Sequence, residues 1–229
     1  MATNPLLVLH MDGPPGSTVF TDSSGNGRNI TPYVSVGPPT NTSVSSNSYF
    51  GNGSLYVGGG NYDGLQVDPS SDFNFGTGPW TIDFWFNLTV GGGNIAFVGL
   101  GDQPIGFINS VGVYFGDQPG GHYFLAGLLN PVVGTWYHIA FQRDNSGNVW
   151  GYTNGVRSGD GGPSSQSIGS STKVVAIGNA YNAGTPVTGY IDEVRISNTA
   201  IFPIAGFSPP TQPWPLVYSW PTTTKWNVS

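Results

Sequence analysis

The residue types that catalyse hydrolysis are scarce in this sequence. Glycoside hydrolysis needs two carboxylates at a fixed separation, one protonated as the acid and one ionised as nucleophile or base. Glutamate occurs once, at Glu193, and no second carboxylate lies two or four residues away from it. Cysteine and a Gly-x-Ser-x-Gly nucleophile elbow are both absent. The three histidines, which fall in predicted strands where a structural role is commoner than a catalytic one, are His10, His122 and His138. The sequence therefore predicts a protein that is not an enzyme.

An acidic, glycine-rich turn could bind a cation. The six residues that begin at Asp22 read Asp-Ser-Ser-Gly-Asn-Gly, so Asp22 supplies a carboxylate and Asn26 an amide, which are oxygen ligands that calcium prefers. Period-two alternation places Asp192 on the same strand face as Val194 and Ile196, the face expected to be buried. A buried carboxylate has to be paired, hydrogen-bonded or metal-bound. The alternative is that Asp22 forms an Asx turn and Asp192 accepts backbone N–H bonds.

Several loops carry residues that suit carbohydrate binding. Lectin sites stack the apolar face of a sugar on an aromatic ring, while acidic, amide and backbone groups bind the hydroxyls. The candidate glycan-binding residues in these loops are Tyr62, Asp63, Asp102, Asp117, Asn179 and Tyr181. The same residue types are also ordinary turn material, so this pattern leaves a purely structural role open.

The composition limits the partners. Only 8% of the residues are charged, and the net charge is -6. The six basic residues are scattered along the chain, which argues against nucleic acid as a partner. The N-terminus has no basic region, and its apolar run is too short for a signal peptide or a membrane span. We therefore expect synthesis in a cytoplasm and no insertion into a membrane. A surface with so little charge is typical of a protein that works in an assembly.

Short alternating runs separated by Gly, Pro, Asn and Ser predict strands throughout the chain. In Trp80–Leu88 every second residue is apolar, and Thr81, Asp83, Trp85 and Asn87 form the other face. The Asn154-Gly155 pair predicts a tight hairpin. About ten such strands, with no plausible helix, predict an all-β fold of two antiparallel sheets packed as a sandwich. The aromatic residues expected in its core are Trp80, Phe84, Phe86, Trp136 and Phe141, whereas Trp85 is expected on an outer face.

Four segments in order carry a family resemblance. They are residues 6–13 with 20–27 (LLVLHMDG and FTDSSGNG), 80–86 (WTIDFWF), 134–143 (GTWYHIAFQR) and 189–197 (GYIDEVRIS). The set resembles the laminin-G/pentraxin-like branch of the concanavalin A-like jelly rolls, and it brackets residues 6–207. The opening and closing segments are similar to the variant common in bacteriophage virion and tail proteins. We accordingly expect a laminin-G-like jelly-roll domain over residues 1–207 and a Pro/Thr/Trp-rich tail over residues 208–229.

The resemblance also implies function and partners. It implies one structural calcium ion held by Asp22, Asn26 and Asp192, with Asp12 as a further ligand. It implies a non-enzymatic structural protein on the surface of a bacteriophage particle, either a capsid decoration or head-fibre component or a tail subunit. Such a protein would contact other virion proteins, form a homo-oligomer in the particle and adhere to the host surface. The alternative is a lectin-like adhesin that recognises host glycans.

The tail is the expected attachment segment. Its composition cannot build a core of its own, so it is expected to dock either on its own sandwich or on a partner. The residues predicted to make partner contacts are Trp214, Tyr218, Trp220 and Trp226.

Overall fold

A computed structural model describes residues 5–33, 42–91, 93–101, 103–109, 112–117, 122–128, 130–159, 161–180 and 184–215. Its strands form two large antiparallel sheets, which confirms the predicted all-β sandwich. The only helical element among the described residues is a single 3-10 turn at Ser71–Phe73. No helix in this part of the chain is long and apolar enough to cross a membrane.

The first sheet has nine strands. They are β1 (Leu7–Leu9), β3 (Thr42–Ser45), β4 (Ser54–Gly58), β7 (Trp80–Leu88), β12 (Trp136–Arg143), β13 (Asn148–Thr153), β14 (Val156–Arg157), β15 (Gly162–Pro163) and β18 (Thr188–Ser197). The main order is β14-β13-β12-β7-β18-β4-β3, with β1 paired to β18 and β15 paired to β13. The predicted hairpin is confirmed, because Thr153 pairs with Val156 around Asn154 and Gly155, which both have positive φ.

The second sheet has seven strands in the order β11-β10-β9-β8-β17-β5-β2. They are β2 (Ile30–Pro32), β5 (Leu65–Val67), β8 (Ile95–Leu100), β9 (Gln103–Asn109), β10 (Gly112–Asp117), β11 (His122–Leu125) and β17 (Val175–Ile177). A small third sheet pairs β6 (Asn74–Gly76) with β16 (Ile168–Gly169).

The hydrophobic core lies between the two large sheets. Phe84 and Phe86 of β7 contact Phe97 of β8, with ring centroids 5.1 Å and 4.4 Å apart. The backbone of β9 approaches so closely that a Cβ on Gly106, whose φ is +68°, would lie 2.8 Å from the ring of Phe84. The alternating residues Trp80, Ile82, Phe84, Phe86 and Leu88 are all buried in this core, as predicted. We call the opposite side of the nine-stranded sheet its outer face.

Trp136 does not belong to the core, and that prediction was wrong. Its register partner across β7 is Asn87, so both residues lie on the outer face. The neighbouring residue Tyr137 pairs with Phe86 on the inner face. Trp136 and Phe141 are an odd number of residues apart, so period-two alternation cannot place both in the same core.

A bulge in β18 also changes one predicted face. The register against β7 shifts between Asp192 and Arg195, and Glu193 has a φ of 51°. Asp192 pairs with Trp85 and is buried as expected, but on the outer face. The prediction that it shares a face with Val194 and Ile196 was wrong, because the extra residue of the bulge reverses the alternation.

Residues 199–214, which we call the C-terminal strap, cover one half of the outer face. Gln142 accepts hydrogen bonds from the Ile201 and Phe202 N–H groups and donates one to the Phe202 carbonyl at 2.8 Å. The rings of Phe202 and Phe207 stack at 3.7 Å and meet His138 edge-on. Since β7 is buried along its whole length on both faces, the outer face has a second, smaller core.

The strap should therefore contribute measurably to stability. We expect Phe202→Ala to lower the free energy of unfolding by about 2 kcal/mol, because the ring is half-buried rather than fully buried. Ile204→Ala in the same segment is the matched control, since its side chain is 44% exposed, and should cost less than about 0.5 kcal/mol. Urea unfolding of the two variants measures the difference. Equal losses would show that the strap does not pack as described.

Candidate functional site

The outer face contains a buried ionic group under the strap. Arg195 Nε donates to Asp83 Oδ1 at 2.8 Å, and His138 Nε2 lies 3.2 Å from Asp83 Oδ2. The Arg195 guanidinium lies 3.6 Å from the ring centroid of Trp214 and 5.3 Å from that of Phe202. All three ionisable side chains are buried. A buried charge is tolerated when it is paired and hydrogen-bonded, and both oxygens of Asp83 are so engaged. His138 Nδ1 is buried with no hydrogen-bond partner among the described residues. The contacts of Arg195 with Trp214 and Phe202 join this group to the strap.

The sole glutamate is also used in the structure. Glu193 Oε1 lies 2.8 Å from His10 Nδ1, and Oε2 accepts a hydrogen bond from the Trp214 N–H at 2.9 Å. Only 1% of the Glu193 residue surface is exposed. Both carboxylate oxygens are therefore engaged, and a substrate bound from solvent would have no free oxygen of this group to meet.

Asp192 is hydrogen-bonded to backbone on both of its oxygens. Oδ2 accepts from the N–H groups of Tyr49 and Phe50 at 2.8 Å and 3.1 Å, and Oδ1 accepts from that of Glu193 at 2.8 Å. The pKa of Asp192 is raised to about 8, because burial and the charge of Glu193 together outweigh the three backbone N–H donors, which lower it. Asp192 therefore anchors the turn of residues 47–53 on the outer face.

The four predicted calcium ligands form two separate pairs. Asp22 accepts from the N–H groups of Val8, Ser24 and Arg28, and the Asn26 amide donates to the carbonyls that precede β1. Asp12 accepts hydrogen bonds from the N–H groups of Asn52 and Gly53. These groups belong to the same turn as the N–H groups that donate to Asp192. Among the described residues, no three His, Cys, Asp or Glu side chains come close enough to share a metal ion.

These ligands do not fit a shared calcium ion. Calcium needs six to eight oxygens directed at one point, whereas these carboxylates are directed at different backbone N–H groups. The arrangement matches the alternative of an Asx turn at Asp22 and backbone bonds at Asp192. The calcium ion itself stays a prediction.

Three of the predicted glycan-binding residues, Tyr62, Asp63 and Asn179, lie in two loops that touch. The Asn179 amide donates to the carbonyls of Asn61 and Asp63 at 3.0 Å and 3.1 Å, and its oxygen accepts from the N–H groups of Ala180 and Thr185. Asp63 and Asn179 are fully buried, so they tie the loops together, while Tyr62 is half-buried. Asp102, Tyr181 and the side chain of Asp117 lie outside the described residues.

Of the four tail residues predicted to contact a partner, only Trp214 lies within the described residues. Trp214 lies on its own chain, against Arg195 and Glu193, and its proposed contact with a partner stays a prediction. Tyr218, Trp220 and Trp226 lie outside the described residues.

Sequence reasoning missed a row of aromatic residues on the half of the outer face that no described segment covers. Across four neighbouring strands, Tyr56 pairs with Tyr190, Tyr190 with Asn87, and Asn87 with Trp136. The ring centroids of Tyr56 and Tyr190 are 5.4 Å apart, and those of Tyr190 and Trp136 are 6.4 Å apart. We call Tyr56, Tyr190 and Trp136 the aromatic row. The signal available in the sequence was that Trp136 alternates with His138 and Gln142, which are polar.

The fold and these surfaces define the class of the protein. It is an all-β jelly-roll domain whose polar interior groups serve structure. A family model for the concanavalin A-like lectin/glucanases superfamily, of the Laminin_G_3 type, matches residues 58–203. The chain belongs to that family, which confirms the resemblance drawn from its strands. No curated protein sequence matches the chain.

Several solved structures share the fold. Domain 4 of AbnA, a GH43 extracellular arabinanase from Geobacillus stearothermophilus in complex with arabinotriose, has a TM-score of 0.60 and 20% identity; the alignment covers 79% of this chain and 87% of that domain. The binding domain of Paraclostridial Mosquitocidal Protein 1 has a TM-score of 0.60 and 15% identity, over 86% of this chain and 49% of that one. The botulinum neurotoxin serotype G binding domain has a TM-score of 0.61 and 14% identity, over 86% of this chain and 48% of that one. The chain thus spans about half the length of the toxin domains.

The buried position of Asp192 predicts a dependence of stability on pH. A carboxyl group whose pKa is raised in the folded state holds a proton that the unfolded chain releases, so stability falls as the pH rises from about 4 to about 8, by roughly 1 kcal/mol per pH unit. In Asp192→Asn this slope should disappear, although the variant is less stable by about 1–3 kcal/mol because one amide N–H group then faces a backbone N–H.

Urea unfolding at several pH values measures both effects. Asp68→Asn, at an exposed carboxylate, is the control and should keep the slope of the unchanged protein. Identical slopes in all three proteins would contradict the pKa shift. Repeating the unfolding with calcium chloride and with EDTA tests the calcium ion, which would stabilise the protein only when calcium is present.

Proposed function

We propose that the protein is a non-enzymatic binding module of a bacteriophage particle and that its ligand is a carbohydrate. The observation that carries this proposal is the state of Glu193, whose two oxygens are engaged by His10 and by the backbone of Trp214. A domain of this superfamily without an available acid and base can hold a sugar chain but lacks the carboxylate pair that cleaves it.

The related structures support a binding role. The arabinanase domain was solved in complex with arabinotriose, and the two toxin relatives are binding domains. At these identities the likeness concerns the fold, so the transfer of carbohydrate binding to this chain is our proposal. In this family of sandwiches the inner faces pack against each other, which leaves loops and the outer face for ligands.

The phage assignment rests on the first and last strands of the domain. The opening and closing segments, which resemble phage virion and tail proteins, are neighbours in the fold, since β1 pairs with β18 and His10 meets Glu193. We propose that the protein lies on the virion surface as a capsid decoration, head-fibre or tail component. Its partners would be other virion proteins and further copies of itself, and carbohydrate binding would provide adhesion to the host.

Retention without cleavage tests the binding role. The purified protein should be retained on at least one polysaccharide of a panel that contains arabinan, galactan, β-glucan and host cell-wall polysaccharide, and it should release no reducing sugar from any of them. Glu193→Gln is the comparison variant for cleavage. Release of reducing sugar that this variant abolishes would overturn the non-enzymatic assignment, and failure to bind any member of the panel would overturn the carbohydrate assignment.

Truncation tests attachment to the particle. We expect deletion of residues 216–229 to reduce incorporation of the protein into phage particles, measured by quantitative immunoblotting of purified virions. The strap and both sheets remain intact in this variant, so the isolated domain should keep its unfolding midpoint within a few degrees. Unchanged incorporation would show that attachment does not use the tail.

A further inference from the structure

The aromatic row lies on the part of the outer face that no described segment of the chain covers. The strap covers Asp83, His138 and Arg195, and Tyr49 of the 47–53 turn stacks on Trp85 at 3.6 Å. Beyond Tyr49 the sheet continues to the row, whose three rings are only half-buried. Tyr49 is itself 38% exposed, and its ring centroid lies 5.8 Å from that of Trp136.

We propose that the aromatic row, together with Asn87 and Tyr49, is the site at which the protein binds a neutral oligosaccharide. The proposal deepens the carbohydrate-binding function proposed above and rests on it. It places the site on the outer face of the nine-stranded sheet, away from the loops that the sequence suggested.

The rings of the row have the two properties that a sugar site requires. Their faces are partly open to solvent, and the apolar face of a sugar packs on such a ring. Their polar atoms are also available, because the hydroxyls of Tyr56 and Tyr190 and the indole N–H of Trp136 make no hydrogen bond with any described residue.

Asn87 supplies an acceptor between the rings. Only 5% of this residue is exposed, and its side-chain oxygen is buried with no hydrogen-bond partner in the described structure. An unpaired buried acceptor is unfavourable, so a hydroxyl donor that reaches it recovers that loss. Trp136 and Tyr190 flank Asn87 on the adjacent strands, so their rings border this oxygen.

The charge around the row selects a neutral ligand. No Lys or Arg occurs in residues 46–53, 89–94 or 130–135, which lie near the row, and the exposed carboxylate that bonds to the 47–53 turn is that of Asp12. The ionisable side chains of the same face, Asp83, Arg195 and Asp192, are paired or covered. A phosphate or a uronic acid would therefore find no cation here, whereas uncharged hydroxyls match the phenol, indole and amide groups.

The length of the row selects an oligosaccharide. It crosses four strands, and its ring separations of 5.4 Å and 6.4 Å place the outer ring centroids no more than about 12 Å apart. That distance exceeds one sugar ring, so successive units of a chain would lie on Tyr56, on Tyr190 with Asn87, and on Trp136.

Titration calorimetry with defined sugars tests the site. The probes are arabinotriose, cellotriose, laminaritriose and maltotriose, with trigalacturonate as the charged comparison. We expect at least one neutral trisaccharide to bind, and trigalacturonate to bind more weakly. Trp136→Ala and Tyr190→Ala should each weaken that binding about tenfold or more, a change of about 1.4 kcal/mol. Tyr190→Phe removes only the hydroxyl and preserves the packing. If an alanine variant fails to fold, the affinity of Tyr190→Phe for the trisaccharide tests the site instead, and weaker binding is the expected result.

Tyr62→Ala is the matched control, because Tyr62 is a half-buried tyrosine in the loops predicted from the sequence. It should bind like the unchanged protein. Loss of binding in Tyr62→Ala, with Trp136→Ala and Tyr190→Phe unaffected, would overturn the row as the site while leaving the carbohydrate function standing. Failure of the unchanged protein to bind any trisaccharide or any member of the polysaccharide panel would overturn both proposals.

A second copy of the chain is the competing occupant. Sedimentation of the same variants distinguishes it from a sugar. If the row variants abolish self-association and leave sugar binding unchanged, the row is an interface between copies and the proposal is wrong.

Discussion

The outer face of the nine-stranded sheet buries Asp83, His138 and Arg195, and much of the molecule follows from the need to pair them there. Burying a charge costs solvation free energy, so buried charges are tolerated only when they are paired and hydrogen-bonded. Asp83 bonds to both partners, and the aromatic rings of the strap close over them. The strap is consequently part of the folded domain: it uses Glu193 and Arg195 as docking points and so withdraws both from any chemistry with a ligand.

The bulge at Glu193 makes this arrangement possible. Asp192 and Arg195 are three residues apart, so a regular strand would direct them to opposite faces. The register shift places both on the outer face, while Ile191 and Ile196 remain in the core. One inserted residue thus lets a single strand anchor the 47–53 turn through Asp192 and the strap through Arg195. Between these two anchored segments and the sheet edge lies the aromatic row, which no segment in the described part of the chain covers.

The fold was predictable from the sequence because its signals are local. The alternation of Trp80–Leu88, the Asn154-Gly155 turn and the absence of helical periodicity each depend on neighbouring residues. The site was only partly predictable. Asp63 and Asn179 were selected as ligand-binding residues, yet the structure buries them, since turn-forming and sugar-binding residues have the same composition. The face on which Asp192 lies depends on a bulge, and the aromatic row is assembled from strands far apart in the chain. Neither feature produces a pattern among neighbouring residues that could be recognised in the sequence.

The pairing of β1 with β18 has a consequence for synthesis in the cell. Leu7–Leu9 finds its partner only when Val194–Ile196 has left the ribosome, and β7 likewise waits for both β12 and β18. At 5–20 residues per second this delay is roughly 10–40 s. During translation the apolar first strand therefore stays unpaired, and the nine-stranded sheet can close only after almost the whole domain has been made. Long-range pairing of this kind slows folding, so yield should depend on temperature and on chaperones more than on the stability of the finished sandwich.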